Sequence, residues 1–296
     1  GSNLDLATIA AGTGGFVIQG QNANDQFGIS VAAAGDINGD GLDDLIIGAP
    51  GGDAAGNSKS GAGEAYVLFG KTAAFAATVE LSTIAAGNGG FVIYGRDNYD
   101  TAGRSVASAG DINGDGYDDL VIGAYRGAAA NNAKGYAGES YVVFGKATGF
   151  AASIDLSSIA AGTGGFVIYG QDASDESGRS VSSAGDINGD GFAGILIGSY
   201  RGDASGNGKY NAGDNYVIFG KASGFAAAID LNSLGAATGF VIFGQDAGDN
   251  AGHAVSRAGD INGDGFDDLL IGARYADGNG NGKASAGDTY VVFGKA

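Results

Sequence analysis

The chain has 296 residues, among them 60 glycines, one proline, 13 tyrosines, 15 phenylalanines and no cysteine, methionine or tryptophan, and its 15 basic and 33 acidic side chains leave a net charge of −18. No cysteine means no disulfide framework, thiolate zinc site or cysteine nucleophile, and the single histidine, His253, excludes multi-histidine zinc sites and argues against a histidine-based triad. The acidic balance speaks against nucleic acid and anionic lipid surfaces, and no run approaches the ~20 apolar residues of a membrane helix.

Glycine stands at about three times its usual share. Yet 44% of residues are hydrophobic, too many for a disordered chain. The composition therefore predicts short strands joined by tight turns.

The chain is a fourfold repeat. Gly-Asp-Ile-Asn-Gly-Asp-Gly begins at Gly35, Gly110, Gly185 and Gly259, spacings of 75, 75 and 74 residues. Phe-Gly-Lys ends in step at Lys71, Lys146, Lys221 and Lys295. The repeats span about 1–71, 72–146, 147–221 and 222–296 of one expected domain. Gly1-Ser2 reads as a cloning remnant and no secretion leader precedes the repeats, so the chain is expected to be a domain of a longer protein.

Each repeat holds four strand-like runs. The first is Phe-Val-Ile-x-Gly, at Phe16–Gly20, Phe91–Gly95, Phe166–Gly170 and Phe240–Gly244. The second is small and β-prone, at Ser30–Ala34, Ser105–Ala109, Ser180–Ala184 and Ala254–Ala258, with Arg257 expected to keep its head in water at a channel mouth. The third is apolar, at Asp44–Gly48, Asp119–Gly123, Gly194–Gly198 and Asp268–Gly272, and the fourth aromatic, at Tyr66–Phe69, Tyr141–Phe144, Tyr216–Phe219 and Tyr290–Phe293. Between repeats, a stretch such as Ile154–Gly162 suggests one helical turn closed by glycine.

Four short strands per repeat predict an all-β fold, a β-propeller of four four-stranded blades. The last repeat lacks an outermost strand and the first strand lacks a sheet. Pairing Phe16–Gly20 with Tyr290–Phe293 would close the ring and remove two sheet edges. A larger ring, or a dimer of half-rings, is the alternative, and a monomer is the expectation.

Asp36, Asn38, Asp40 and Asp44 put oxygen side chains at loop positions 1, 3, 5 and 9, with Gly41 at the sharp turn and the Leu42 carbonyl at position 7. An EF-hand-like loop uses this spacing to wrap oxygens around Ca²⁺, whereas Mg²⁺ demands tighter octahedral geometry. The second loop matches with Asp111, Asn113, Asp115, Tyr117 and Asp119, and the fourth with Asp260, Asn262, Asp264, Phe266 and Asp268. The third keeps Asp186, Asn188, Asp190 and Phe192 but has Gly194 at position 9, so weak binding is expected there. Asp, Asn and Gly also make plain hairpin turns. Three copies of crowded, mutually repelling carboxylates favour a bound cation, and without flanking helices it reads as a structural staple rather than a switch.

These residues resemble the FG-GAP repeat of integrin α-subunit propellers and of many bacterial surface proteins. Repeat 1 carries the whole pattern: Phe27-Gly28, Ser30-Val31-Ala32, Asp36 to Asp44, Leu45-Ile46-Ile47 and Gly48-Ala49-Pro50. The other three drift at both ends, as in Ala102-Gly103 and Gly123-Ala124-Tyr125. The resemblance implies a propeller with calcium between the first and second strands of each blade, and partners on the opposite face. Integrin propellers have seven repeats, so blade number and partner do not carry over.

On that opposite face lie 21–28, 50–63 and their repeats. Asp203-x-Ser205-x-Asn207-Gly208 and Asp277-x-Asn279-x-Asn281-Gly282 repeat the alternating oxygens, as second calcium sites or, more simply, solvated turns. Arg201-Gly202-Asp203 is the tripeptide integrins bind, a weak adhesion motif in such a loop. Tyr99, Tyr125, Tyr136, Tyr200, Tyr210 and Tyr275 either pack between blades or meet a sugar or protein. His253 stands where Arg104 and Arg179 stand and reads as a hydrogen-bonding substitute. Carboxylate pairs such as Asp97 with Asp100 and Asp172 with Asp175 sit at turn positions and assemble no base–nucleophile pair, so a hydrolase is disfavoured. The expected function is a calcium-binding, non-catalytic, extracellular adhesion module from a bacterial surface or secreted protein, with an unidentified protein or glycan ligand. The alternatives are a calcium-stabilised lectin and a structural scaffold.

Overall fold

The computed structural model describes residues 4–278 and 282–295. The chain opens with helix α1 (Leu6–Ala10) and strand β1 (Val17–Gln19). Repeat 1 adds β2 (Ser30–Gly35), β3 (Asp44–Ala49) and β4 (Glu64–Leu68), and repeat 2 opens with β5 (Thr78–Glu80), α2 (Leu81–Ala85) and β6 (Gly90–Tyr94). It continues with β7 (Ser105–Gly110), β8 (Asp119–Ala124) and β9 (Glu139–Val143), and repeat 3 opens with β10 (Ser153–Asp155), α3 (Leu156–Ala160) and β11 (Gly165–Tyr169). It continues with β12 (Ser180–Gly185), β13 (Gly194–Ser199) and β14 (Asp214–Ile218), and repeat 4 opens with β15 (Ala228–Asp230) and β16 (Gly239–Phe243). Repeat 4 supplies β17 (Ala251–Gly259), β18 (Asp268–Ala273) and β19 (Asp288–Val292).

All four strand classes read from the sequence are present, and the first three blades each take their outer strand from the next repeat. The antiparallel order in the first sheet is β2-β3-β4-β6, with Tyr66 opposite Val92. The second and third sheets repeat it as β7-β8-β9-β11 and β12-β13-β14-β16. The architecture is all-β and consistent with a β-propeller. The sequence reading missed one element: a three-residue strand before the helical turn, where Ser153–Asp155 (β10) pairs in parallel with β6. Asp155 then caps α3 by accepting from the Ser157 N–H, a function that masks the strand in the sequence.

The inner strands carry small side chains because neighbouring blades touch there. The Val106 N–H donates to Ser30 Oγ at 3.1 Å, Val181 to Ser105 at 3.0 Å and Val255 to Ser180 at 3.0 Å. A Cβ on Gly48 would stand 1.9 Å from the Gly103 carbonyl oxygen, and one on Gly123 2.0 Å from that of Gly178, so glycine permits the blade-to-blade approach. Outside, Phe91 stacks on Phe150 and Phe166 on Phe225, each pair with ring centres 4.7 Å apart. These rings cover sheets whose Val67, Ile93, Val142 and Ile168 are buried.

The expected closure is not formed among the described residues. β1 pairs in parallel with β5, Val17 opposite Thr78, and not with β19. β19 pairs only with β18, so among the described residues no strand pairing joins the last blade to the first. β5 holds one edge of β1 as β10 holds one edge of β6, and the edge by which β6 meets β4 is the one that β1 leaves without a strand partner among the described residues. The two ends are correspondingly bare. Val31 is 68% exposed against 4% for its counterpart Val106, and Val291 is 44% exposed against 0% for Val217. A largely apolar groove of about 700 Å³ lies at the last blade, lined by Ile187, Phe219, Phe240, Val292 and Phe293.

Candidate metal centre

The β2–β3 hairpin winds its backbone around the side chain of Asp36. Asp36 Oδ1 accepts from the N–H groups of Gly39 at 2.7 Å and Asp40 at 3.0 Å, and Oδ2 from Gly41 at 2.8 Å. Asn38 accepts from Asp40 at 2.8 Å and Asp40 from Leu42 at 3.0 Å. These contacts wrap the loop as a bowl around the Asp36 carboxylate, with Gly39 and Gly41 at positive φ. The second and fourth loops repeat the pattern about Asp111, Asn113 and Asp115, and about Asp260, Asn262 and Asp264. Backbone N–H groups, that of Gly265 first, hold the Asp260 carboxyl below the usual carboxylate range.

The ninth position lies beneath this bowl. Asp44 is fully buried, accepting from the Ile37 N–H at 3.2 Å and the Gly70 N–H at 2.8 Å. Asp119 and Asp268 are equally buried and tie Ile112 and Gly145, and Ile261 and Gly294. The same side chain thus stitches the hairpin to the Phe-Gly-Lys segment. Burial pushes Asp44 up to about 6 and Asp119 up to about 8, with the charges of Asp40 and Asp36, and of Asp115 and Asp111, adding to it. A divalent ion would supply the positive charge these carboxylates lack, so the donor chemistry fits calcium. Among the described residues, no group of three or more histidine, cysteine or acidic side chains is placed to hold a metal ion.

The third loop keeps the first part of the bowl. Asp186 accepts from Asp190 and Gly191, both at 3.0 Å, and Asp190 accepts from Phe192 at 3.0 Å. Gly194 offers no carboxylate beneath it. The bowl and the stitch are therefore separable, since this loop folds without the second.

Two connections between loops were not legible in the sequence. Asp118, at position 8, accepts from the Asp36 N–H of the preceding blade at 2.9 Å, and Asp267 accepts from Asp186 at 2.8 Å. The ring of Tyr117 covers Gly39, where a Cβ would lie 2.3 Å from it, and Phe192 and Phe266 cover Gly114 and Gly189 alike. Aromatic residues at position 7 of loops two to four, against Leu42 in the first, were the available clue. Arg257 is paired, not merely solvated: its guanidinium lies 2.7 Å from Asp267.

On the opposite face Tyr99, Tyr136, Tyr210 and Tyr275 are 65, 54, 72 and 44% exposed, whereas Tyr200 is buried. His253 meets the Tyr200 ring edge-on at 5.4 Å, and burial, with Arg274, Arg179 and Arg104 beside it, pulls it down to about 4. It is a neutral packing group. Arg201-Gly202-Asp203 is tied into its loop, with Arg201 2.7 Å from Glu176 and Asp203 accepting from the Asn211 N–H at 2.7 Å. Asp277 makes the corresponding bond from Ser285 at 2.8 Å. Asn279 and Asn281, expected in the same loop, lie outside the described residues. Among the described residues no helix is long and apolar enough to cross a membrane.

The FG-GAP repeat model matches residues 27–68, 102–143 and 251–292, three of the four repeats. The missing match is the repeat whose loop lost its ninth-position carboxylate. Integrin alpha-PS2 of Drosophila melanogaster is 37% identical over 116 residues, 37% of this chain and 7% of that protein. Integrin alpha-4 of Xenopus laevis is 30% identical over 192 residues, 64% of this chain and 16% of its own length. Integrin alpha pat-2 of Caenorhabditis elegans is 35% identical over 117 residues, 39% of this chain and 8% of that protein. The chain thus spans less than a fifth of each of these relatives, and it carries FG-GAP repeats of the integrin-α kind.

Proposed function

We propose, for a chain built of FG-GAP repeats, a non-catalytic extracellular adhesion module folded as one domain, whose hairpin loops bind calcium and thereby lock blade to blade. The observation that carries this reading is the coupling of each acidic loop to the next: the Asp36 backbone is held by Asp118 at 2.9 Å, and Lys146 N–H donates to the Ile37 carbonyl at 2.9 Å. Calcium supplies charge neutralisation to these loops. Asp36, Asn38, Asp40, Asp44 and the Leu42 carbonyl would hold it in the first, with Asp111, Asn113, Asp115, Tyr117 and Asp119, and Asp260, Asn262, Asp264, Phe266 and Asp268, in the others. Asp186, Asn188, Asp190 and Phe192 form the weaker set. Calorimetric titration with calcium tests this: three strong equivalents are expected, one fewer in Asp115→Ala, and an unchanged count in that variant contradicts the assignment.

The closed ring belongs to the same reading. By the register of the other blades, β1 would lie antiparallel to β19 with Val17 opposite Tyr290, covering Val291 as β16 covers Val217. This joint would lack the serine link of the others, because Ala254 stands where Ser30, Ser105 and Ser180 stand, so strand pairing must carry it. The protein ligand would meet the face bearing Tyr99, Tyr136, Tyr210 and Tyr275. The same exposed rings favour a glycan as the second reading, and a glycan array silent at millimolar calcium removes it.

A further inference from the structure

The segments that lead into β11 and β16 tie each blade to the one before it, and they do so by three features together. Ser153-Ile154-Asp155-Leu156 precedes β11 and Ala228-Ile229-Asp230-Leu231 precedes β16. The isoleucine lies in parallel on the outer strand of the preceding blade, Ile154 opposite Ile93 and Ile229 opposite Ile168. The leucine is buried in both. The aspartate meets a lysine from the long loop of that preceding blade: Lys59 lies 2.9 Å from Asp155 and Lys134 4.0 Å from Asp230. Between the second and third blades, Ile229, Leu231 and Leu234 pack in one cluster with Ile112, Phe166 and Ile218.

Each end of the chain holds one half of another such joint. Near the start, Leu4-Asp5-Leu6 leads through α1 into β1, and Asp5 caps α1 by accepting from the Ala7 N–H at 2.9 Å, as Asp155 caps α3. Yet Leu4 is 72% and Leu6 78% exposed. The receiving half stands bare at the other end. β1, β6 and β11 carry β5, β10 and β15 on their outer edges, whereas β16 carries no strand there among the described residues. The groove of about 700 Å³ puts Ile187, Phe240 and Val292 where the filled joint has Ile112, Phe166 and Ile218. Lys209, 75 residues on from Lys134, reaches the Gln245 carbonyl oxygen as Lys134 reaches that of Gln171, but it forms no ion pair among the described residues. An unfilled apolar groove, a bare strand edge and an unpaired lysine thus face the absence of one segment, and the chain carries a matching segment with its leucines in water.

We propose that this groove is the seat of the chain's own segment Leu4–Ala10, held by strand addition to β16, by burial of its leucines and by an ion pair of Asp5 with Lys209. By the register of the other joints, Leu4 lies opposite Ile242, Leu6 takes the place of Leu231 and Ile9 that of Leu234. Main-chain bonds along a free sheet edge give such a segment its hold, and pockets for alternate side chains give it its specificity. The proposal rests on the closed-ring reading and extends it. Pairing of β1 with β19 joins the chain start to the fourth blade alone, whereas the seated segment fastens it to the third blade as well.

Leu4→Cys/Ile242→Cys tests the seat in the full chain, which has no cysteine of its own. The probe is a short thiol-specific crosslinker, and Ile18→Cys/Val79→Cys, a parallel pair already formed between β1 and β5, is the control for its reach. Under conditions that join the control, a crosslink of Leu4→Cys/Ile242→Cys at monomer mass is expected. A crosslink at dimer mass gives the groove to a second copy, and free thiols leave it without this occupant; either result overturns the proposal. If Val17→Cys/Tyr290→Cys closes while Leu4→Cys/Ile242→Cys stays free, the ring stands and the seat falls. Leu6→Ala supplies a readout without crosslinker. Its melting temperature should fall about as far as that of Leu156→Ala, a core truncation, and an unchanged melting temperature, as for any exposed leucine, overturns the proposal.

Discussion

Asp119→Ala separates the two tasks assigned to the ninth loop position. The Asp119 carboxylate is fully buried and accepts from the Ile112 N–H at 3.1 Å and the Gly145 N–H at 2.8 Å, joining the hairpin to the segment after β9. Alanine leaves both donors buried without a partner. Each such loss costs about 1–3 kcal/mol, so the variant should lose about 2–6 kcal/mol of stability even in chelator. In calcium it should lose more. A site saturated at a hundredfold excess over its Kd contributes about 2.7 kcal/mol by mass action, and the variant forfeits that contribution. Urea unfolding followed by circular dichroism, at pH 7 in chelator and again in saturating calcium, measures both quantities. An equal loss in the two buffers refutes calcium binding by this loop. No loss in chelator refutes the stitching role of the carboxylate.

Three further outcomes follow from the same geometry. Gly194→Asp restores the missing carboxylate of the third loop, where its Cβ would stand 3.0 Å from the Ile218 carbonyl oxygen, a tight approach to backbone; calorimetry should then count one more calcium, and no gain in a variant that keeps the wild-type circular dichroism contradicts the account of that loop. The chain has no cysteine, so Val17→Cys/Tyr290→Cys reports closure cleanly: a disulfide at monomer mass indicates a ring within one chain, one at dimer mass a ring of two chains, and free thiols under oxidising conditions refute pairing of β1 with β19. His253 falls from its ordinary 6.5 to about 4 in the fold. The unfolded chain therefore binds the extra proton between those values, and the histidine's contribution, complete above pH 6.5, is lost as pH falls towards 4. His253→Gln should match wild type at pH 7.5 and surpass it at pH 5 in thermal melts, and a constant difference across that range contradicts a neutral His253.

The repeat made most of the fold legible. Phe-Val-Ile, the small inner run, the apolar run and the Tyr-Val-Val run each became a strand, because four copies in register separate pattern from accident. β5, β10 and β15 were missed because three residues ending in a helix cap look like the helix start alone. The meeting of the two chain ends is not legible in the repeat, because edge pairing depends on partners distant in sequence. The hairpin residues were legible from spacing, since positions 1, 3 and 5 bond locally to their own backbone. Asp118 and Asp267 were not, because they act on the preceding blade. The Arg96–Glu139 pair was equally hidden: it joins a loop to a strand 43 positions away by number, and only the fold brings them to 3.0 Å. Asp203 read as a loop oxygen and proved to hold the Asn211 N–H.

The claim on which the account rests is that divalent ions in the hairpin loops hold the blades together. Thermal unfolding of the wild-type protein over a calcium series, beside chelator, tests it most directly. The melting temperature should climb with the logarithm of calcium concentration and fall by many degrees in chelator. A melting temperature identical in 5 mM calcium (on the order of a thousandfold above the sensor-loop range) and in chelator would contradict it.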